Sequence, residues 1–300
     1  MIIELNNTTS RAISAALVRA RRGAGSATGQ VLTLIIVTDD DHADIALQAA
    51  KASATAHPSR VILVTYVDGP TSKLDATLQM GEELPGELLS LTVHGELQNH
   101  TDAILLPLLL PDSPVVAWWP TNSPANLAED PVGRLADRRI TDAGGARDPQ
   151  AALRVRARNH APGDTDLSWT RITRWRALLA ASLDQTQAEV LSASVSAAPD
   201  NAPATLLAAW LSESLKVPVD VEAGSYIGVH EVRLTTADGD IVLHRPTDST
   251  ALYRVPGQPE RKVALKRRPL TDLLTEELTR MGPDEVFEAA CRHLLHGVEE

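Results

Sequence analysis

Cysteine is almost absent from this 300-residue sequence: Cys291 stands alone, which excludes an internal disulfide, a secreted disulfide framework and a cysteine-based zinc site. Aromatic residues are scarce at 3%, with a single phenylalanine, so the placing of each tryptophan is informative. Positive charge is in deficit, 28 Lys and Arg against 39 Asp and Glu, for a formal net charge of -11. That balance speaks against nucleic acid and anionic membrane as partners, since both are bound through clustered cations. Long hydrophobic runs are missing as well. The longest, 103 to 119, is broken by Pro107, Pro111, Asp112 and Pro114 and is no membrane span. The opening MIIELNNTTS lacks the basic-then-apolar plan of a secretion signal, so the cytoplasm is the expected compartment.

What is present is an ordinary globular composition, 43% hydrophobic and 22% charged. The length favours two domains. Ile13, Ala16, Leu17 and Ala20 recur at helical spacing and predict a first helix, ending in a loop over Gly23 to Gly29. Val31 to Val37 and Arg60 to Tyr66 are short, continuous and β-branched, as strands buried on both faces of a parallel sheet are, and an Ala-rich helix from about Asp44 to Ala56 joins them. Further strands are expected at Leu88 to His94 and Val115 to Trp119, joined by a helix-like segment from Asn99 to Leu109. Helices are expected at Leu127 to Ile140 and Asp148 to Asn159. Ala161 to Asp166 has linker composition, which sets the boundary between an N-terminal α/β domain, 1–163, with a doubly wound, mostly parallel sheet, and a C-terminal α+β domain, 164–300. The second domain reads as a helix at Ser168 to Leu183, a strand at Ala188 to Ala197, a helix at Ala204 to Leu215, an antiparallel meander and two closing helices around Gly282-Pro283. Turn signals at Ala237 to Asp240 and at Pro256-Gly257 mark the meander's hairpins.

Catalytic motifs are hard to find. The Gly23 to Gly29 loop precedes a strand where a dinucleotide fingerprint must follow one, and no Gly-Lys-Ser/Thr is present for a P-loop. Asp39, Asp40 and Asp41 sit at the carboxyl end of the first long strand, where paired carboxylates hold magnesium or attack phosphate in some enzymes, yet the same residues suit a helix N-terminus. Cys291 and His293 point about 200° apart on a helix and cannot share an ion with His296. No catalytic residue, metal site or cofactor is therefore assigned. Two segments suit recognition instead. One carries Trp118 and Trp119, adjacent on a strand and so on opposite faces: only one needs to be core, and the other either anchors a partner, lines a pocket or is buried beneath a flanking helix. The other concentrates Trp169, Arg171, Arg174, Trp175 and Arg176, with arginines able to grip carboxylate or phosphate and intramolecular ion pairing as the competing reading. A further basic run, Arg261 to Arg268, reads as a charged strand edge.

Taken in order, the Pro107 to Pro120 run with its double tryptophan, the Asp166 to Arg176 segment and the closing Arg268-Pro-Leu-Thr-Asp-Leu-Leu through Pro283 to Ala290 resemble the glucose-6-phosphate dehydrogenase assembly protein family, OpcA. The resemblance implies a non-catalytic protein that binds glucose-6-phosphate dehydrogenase, favours its active oligomer and supports NADPH supply from the oxidative pentose phosphate route. It carries over no catalytic residues. Some relatives are linked to redox control through cysteines, and a lone Cys291 on an apolar helical stripe departs from that pattern. The alternative is a sugar-phosphate sensor, or a metal-dependent phosphosugar enzyme working through Asp39 to Asp41.

Overall fold

The computed structural model describes residues 1–24, 29–80 and 86–296. The Gly23 to Gly29 loop falls largely outside these residues. Two compact units divide the chain: one takes 1–142, 161–165 and 270–283, the other 143–160, 166–269 and 284–300. A single cut after residue 163 therefore gives way to a chain that passes between units more than once. The reason lies in the segment 270–283, whose Leu273, Leu274, Leu278 and Glu277 are buried in the first unit.

The first unit is built on β1 (Ile2–Leu5), α1 (Ser10–Ala24), β2 (Leu32–Thr38), α2 (Asp40–Ser53), β3 (Ser59–Val67), β4 (Leu74–Met80), β5 (Gly86–His94), α3 (Thr101–Leu105), β6 (Val115–Trp119) and β7 (Arg138–Thr141). With β8 (Asp164–Asp166) the strands form one sheet in the order β1-β4-β5-β3-β2-β6-β7-β8. Its central pairs are parallel, β5 with β3, β3 with β2, β2 with β6 and β6 with β7, whereas β1 and β4 join antiparallel at the edge. Period-2 alternation sends Ile35, Val37, Ile62, Val64, Ala117 and Trp119 to one side, where they pack with Ile13, Ala16, Leu17 and Ala20 of α1. The opposite phase carries Leu34, Ile36, Leu63 and Trp118, all buried. Helix α2 packs against β2, β3 and the later helix that covers Leu270–Glu277.

That returning helix is held by charge as well as by Leu273 and Leu274. Arg138, 1% exposed, ion-pairs with Glu277 and donates from Nη1 to the carbonyl of Gly282 at 2.7 Å. His57 Nε2 meets the Thr275 carbonyl at 3.1 Å. A second buried network centres on Glu87, which takes Arg60 Nε and Arg21 Nη2, each at 2.8 Å.

In the second unit α4 (Pro149–Arg158), α5 (Leu167–Arg171), α6 (Thr173–Leu183) and α7 (Ala202–Leu215) accompany the sheet β10-β9-β11-β12-β13-β14. Its strands are β9 (Val190–Ala197), β10 (Val219–Ala223), β11 (Val229–Thr236), β12 (Gly239–His244), β13 (Thr250–Arg254) and β14 (Arg261–Ala264). Only β10 and β9 pair in parallel; the rest is an antiparallel meander. Completing the helices in chain order, α8 is the Leu270–Glu277 helix of the first unit and α9 (Glu285–His296) closes the second. Val195, Val232, Leu234, Ile241 and Leu243 meet Trp169, Leu206, Leu207, Phe287 and Cys291 in the second core.

Three expectations change. The helix expected over Leu127 to Ile140 is a short 3-10 turn, Gly133–Leu135, followed by β7. Asp130 takes the amides of Val132 and Gly133 at 2.8 and 3.2 Å, and a Cβ at Gly133 would meet the Leu127 carbonyl oxygen at 1.7 Å, so this stretch folds back on itself. The helix expected from Ser168 to Leu183 is two helices, parted at Ile172. The Asn99 to Leu109 helix is α3 between two 3-10 turns, the second holding Pro107 near its start.

Candidate functional site

All the tryptophans singled out for recognition are interior. Trp118 is 0% exposed and Trp119, Trp169 and Trp175 are each 2% exposed. The exposed-anchor reading of Trp118 and Trp119 is corrected accordingly: both faces of β6 are covered. Trp169 instead donates its Nε1–H to Asp284 at 2.9 Å and packs beside Phe287, and Arg176 lies over its ring at 3.5 Å. That stack removes Arg176 from the other two arginines.

Arg171, Arg174 and Trp175 do converge, and on a feature that local sequence reading missed. They line a cavity of about 400 Å³ within the second unit, together with Arg245, Lys266, Arg267 and Arg268. The helix break at Ile172 causes part of this, because it turns Arg171 at the end of α5 and Arg174 at the start of α6 toward the same space. The N-terminal residues of α7, Ala202 and Pro203, line it too, after the cap residue Asn201, whose side chain accepts from the Ala204 amide at 2.9 Å. Asp200 is the one acidic side chain in the lining.

Arg245 is the unusual member. It is 7% exposed, donates from Nη2 to the Val229 carbonyl and lies 5.1 Å above the Trp175 ring, while its Nε has no hydrogen-bond partner. No carboxylate comes within ion-pair distance of it among the described residues. Burial, with repulsion from Arg267 added, pushes the guanidinium down to about 10. Arg267 pairs with the exposed Asp248 at 2.5 Å. Gly228, at φ +67°, brings the two arginines near one point: a Cβ there would stand 2.7 Å from Arg267 Nη1 and 3.8 Å from Arg245 Nη2.

A signal for Arg245 exists in the sequence. Ile241 and Leu243 face the core, and two residues further in the same phase comes an arginine. Of the run Arg261 to Arg268, read as a strand edge, the first half is β14 and the second half, 265–268, lies past its end and lines the cavity.

The other candidates resolve locally. Asp39 caps α2, accepting the His42 amide at 3.0 Å and its Nδ1 at 2.6 Å, and Asp40 and Asp41 occupy the first helical turn. Among the described residues no three His, Cys, Asp or Glu side chains are grouped to hold a metal ion. Cys291 is buried. No helix among the described residues is long and apolar enough to cross a membrane.

Fold and site together define a two-unit α/β protein with a cation-lined cavity and an acidic body. Family comparison carries this further: residues 50–158 match the N-terminal domain of the glucose-6-phosphate dehydrogenase subunit family, and 162–291 match the C-terminal domain of that family. The chain belongs to the OpcA family of glucose-6-phosphate dehydrogenase assembly proteins. A search of curated proteins gave no match. Among solved structures, similar chains include a mutant of KijD10, a 3-ketoreductase from Actinomadura kijaniata in complex with TDP-benzene and NADP, at 11% identity and TM-score 0.47, covering 88% of this chain and 95% of that one. The dehydrogenase MviM from Clostridium difficile is similar at 9% identity and TM-score 0.44, covering 89% and 99%. An inositol dehydrogenase homolog from Azotobacter vinelandii, complexed with NADH and myo-inositol, follows at 11% and 0.37, covering 89% and 84%.

Proposed function

We propose that this chain is a non-catalytic partner of glucose-6-phosphate dehydrogenase that binds it, favours its active oligomer and so supports NADPH production in the oxidative pentose phosphate pathway. The observation that carries this reading is the pair of family matches, which together run from residue 50 to residue 291. Activation then works by linkage. A protein that binds the active form of an enzyme more tightly than the inactive form shifts the population by the difference in affinity, and a thirtyfold ratio corresponds to only about 2 kcal/mol. An interface of ordinary size, roughly 1,600 Å², is ample for that.

With the tryptophans interior, the contact surface we propose passes to the arginines. Arg174 is exposed and Arg171 half-buried, both at the cavity, while Arg176 is half-buried against the Trp169 ring. Cations on an acidic protein choose their partner's face by charge, a guanidinium meeting a carboxylate in bidentate geometry.

The test is a titration of the cognate dehydrogenase, at subsaturating substrate, with increasing amounts of this protein. A saturable rise in rate is the expected result. A flat rate with both proteins folded removes the activating role.

A further inference from the structure

We infer that the cavity of the second unit is a binding site for the phosphate group of a small metabolite, with Arg245 and Arg267 as its principal contacts. The inference stands apart from the dehydrogenase reading, since it concerns this chain alone.

Charge is the first support. Arg171, Arg174, Arg245, Lys266, Arg267 and Arg268 gather around one cavity whose lining holds a single acidic residue, Asp200, in a chain of net charge -11. Like charges repel, and a folded protein brings so many together where something negative offsets them. Intramolecular carboxylates account for part: Asp248 takes Arg267. They account for Arg245 only at a distance, through Asp248: this guanidinium is more than nine-tenths buried, its Nε is unpartnered, and among the described residues no carboxylate comes within ion-pair distance of it. Leaving such a group buried is costly unless a ligand pairs with it.

Geometry supplies the rest. Gly228, having no side chain, lets two guanidiniums approach its backbone together: a Cβ there would stand 2.7 Å from one nitrogen of Arg267 and 3.8 Å from one nitrogen of Arg245. A tetrahedral dianion in the cavity that both arginines line meets two forked donors, which is how arginine recognises phosphate. The first turn of the 14-residue helix α7 lines the same cavity, and its dipole favours negative charge there. A volume of about 400 Å³ falls within the range of small-molecule sites, and Ile172, Ile227, Leu265 and Pro203 offer apolar wall for the remainder of a phosphorylated compound.

The experiment is calorimetric titration of the full chain with inorganic pyrophosphate at low ionic strength, in the absence of the dehydrogenase. Saturable binding at one site is expected, weakening as salt is raised. Arg267→Ala removes a half-exposed donor and should cost at least about tenfold in affinity, and Arg245→Met should cost as much. Arg261→Ala, on the exposed edge of β14, should leave affinity unchanged, and circular dichroism of each variant checks that it folds. If Arg245→Met fails to fold, Arg267→Ala decides alone. No saturable heat, or affinity indifferent to Arg267→Ala, overturns the assignment. So does a chain that ignores pyrophosphate while Arg267→Ala weakens its complex with the dehydrogenase, because the cavity would then receive an acidic side chain of that partner.

Discussion

Removing the carboxylate of Glu277 should destabilise the first unit far more than a typical surface change. Arg138 is 1% exposed and its partners are Glu277, through Nε and Nη2, and the Gly282 carbonyl, through Nη1 at 2.7 Å. In Glu277→Ala the guanidinium keeps its burial and loses its counter-charge. Stranding one member of a buried pair costs about 3–5 kcal/mol, because desolvation of the survivor is no longer offset. For a unit of this size each kcal/mol moves the melting temperature by roughly 2–4 °C, so a fall on the order of 10 °C is expected by calorimetry. The double variant Arg138→Met, Glu277→Leu removes both charges and refills the volume, and should recover most of that loss. Urea midpoints on the parent, Arg138→Met, Glu277→Leu and the double variant complete the cycle. A single variant within about 1 kcal/mol of the parent, or a double variant as damaged as the single, would refute the reasoning.

Three further outcomes follow from the same structure. Asp39→Ala removes the α2 cap and should cost about 1 kcal/mol by urea unfolding, with no change in any response to magnesium; a magnesium-dependent stabilisation that the substitution abolishes would restore a metal role for Asp39 to Asp41. His230 is held below its ordinary 6.5 by burial first, then by His244, Arg245 and Arg267 against the pull of Glu231, while Tyr226 stacks on its ring at 3.8 Å. The unfolded chain then takes up this proton more readily, so stability is unaffected above 6.5 and declines as pH falls below it toward the folded value; His230→Phe should flatten that part of the stability profile, and an unaltered slope would contradict it. Arg174→Ala, at an exposed position, should shift stability by less than about 0.5 kcal/mol while weakening the dehydrogenase complex, measured by the concentration giving half-maximal activation.

The sequence carried the sheet of the first unit well where burial is two-sided. Continuous apolar runs at Val31 to Val37 and Arg60 to Tyr66 became β2 and β3 within a residue or two, and Val115 to Trp119 became β6 as expected. Left unread were β4, where Leu74, Ala76, Leu78 and Met80 alternate with polar residues between β1 and β5, and β10, whose Val-Asp-Val-Glu-Ala is almost wholly exposed. The alternation in β4 was an available strand signal, whereas β10 owes its form to its parallel neighbour β9, which no local pattern announces. The misread helix before β7 turned on Gly133, whose close approach to a carbonyl is a tertiary fact. At the site, the cluster from Trp169 to Arg176 was visible as composition but not as geometry. Its tryptophans went to the core, its arginines parted, Arg171 and Arg174 to the cavity and Arg176 to the Trp169 ring, and further cations came from residues 245 and 266–268, distant in sequence and brought beside them by the meander. The arginine in phase with Ile241 and Leu243 was the available clue.

The measurement that bears most directly on the account is the mass of particles in a mixture of this protein with its cognate glucose-6-phosphate dehydrogenase, by light scattering, with the dehydrogenase rate recorded on the same samples. A joint particle that forms saturably, accompanied by a higher rate, is what the account requires. Two separate species at their own masses, with the rate of the dehydrogenase alone, would contradict it.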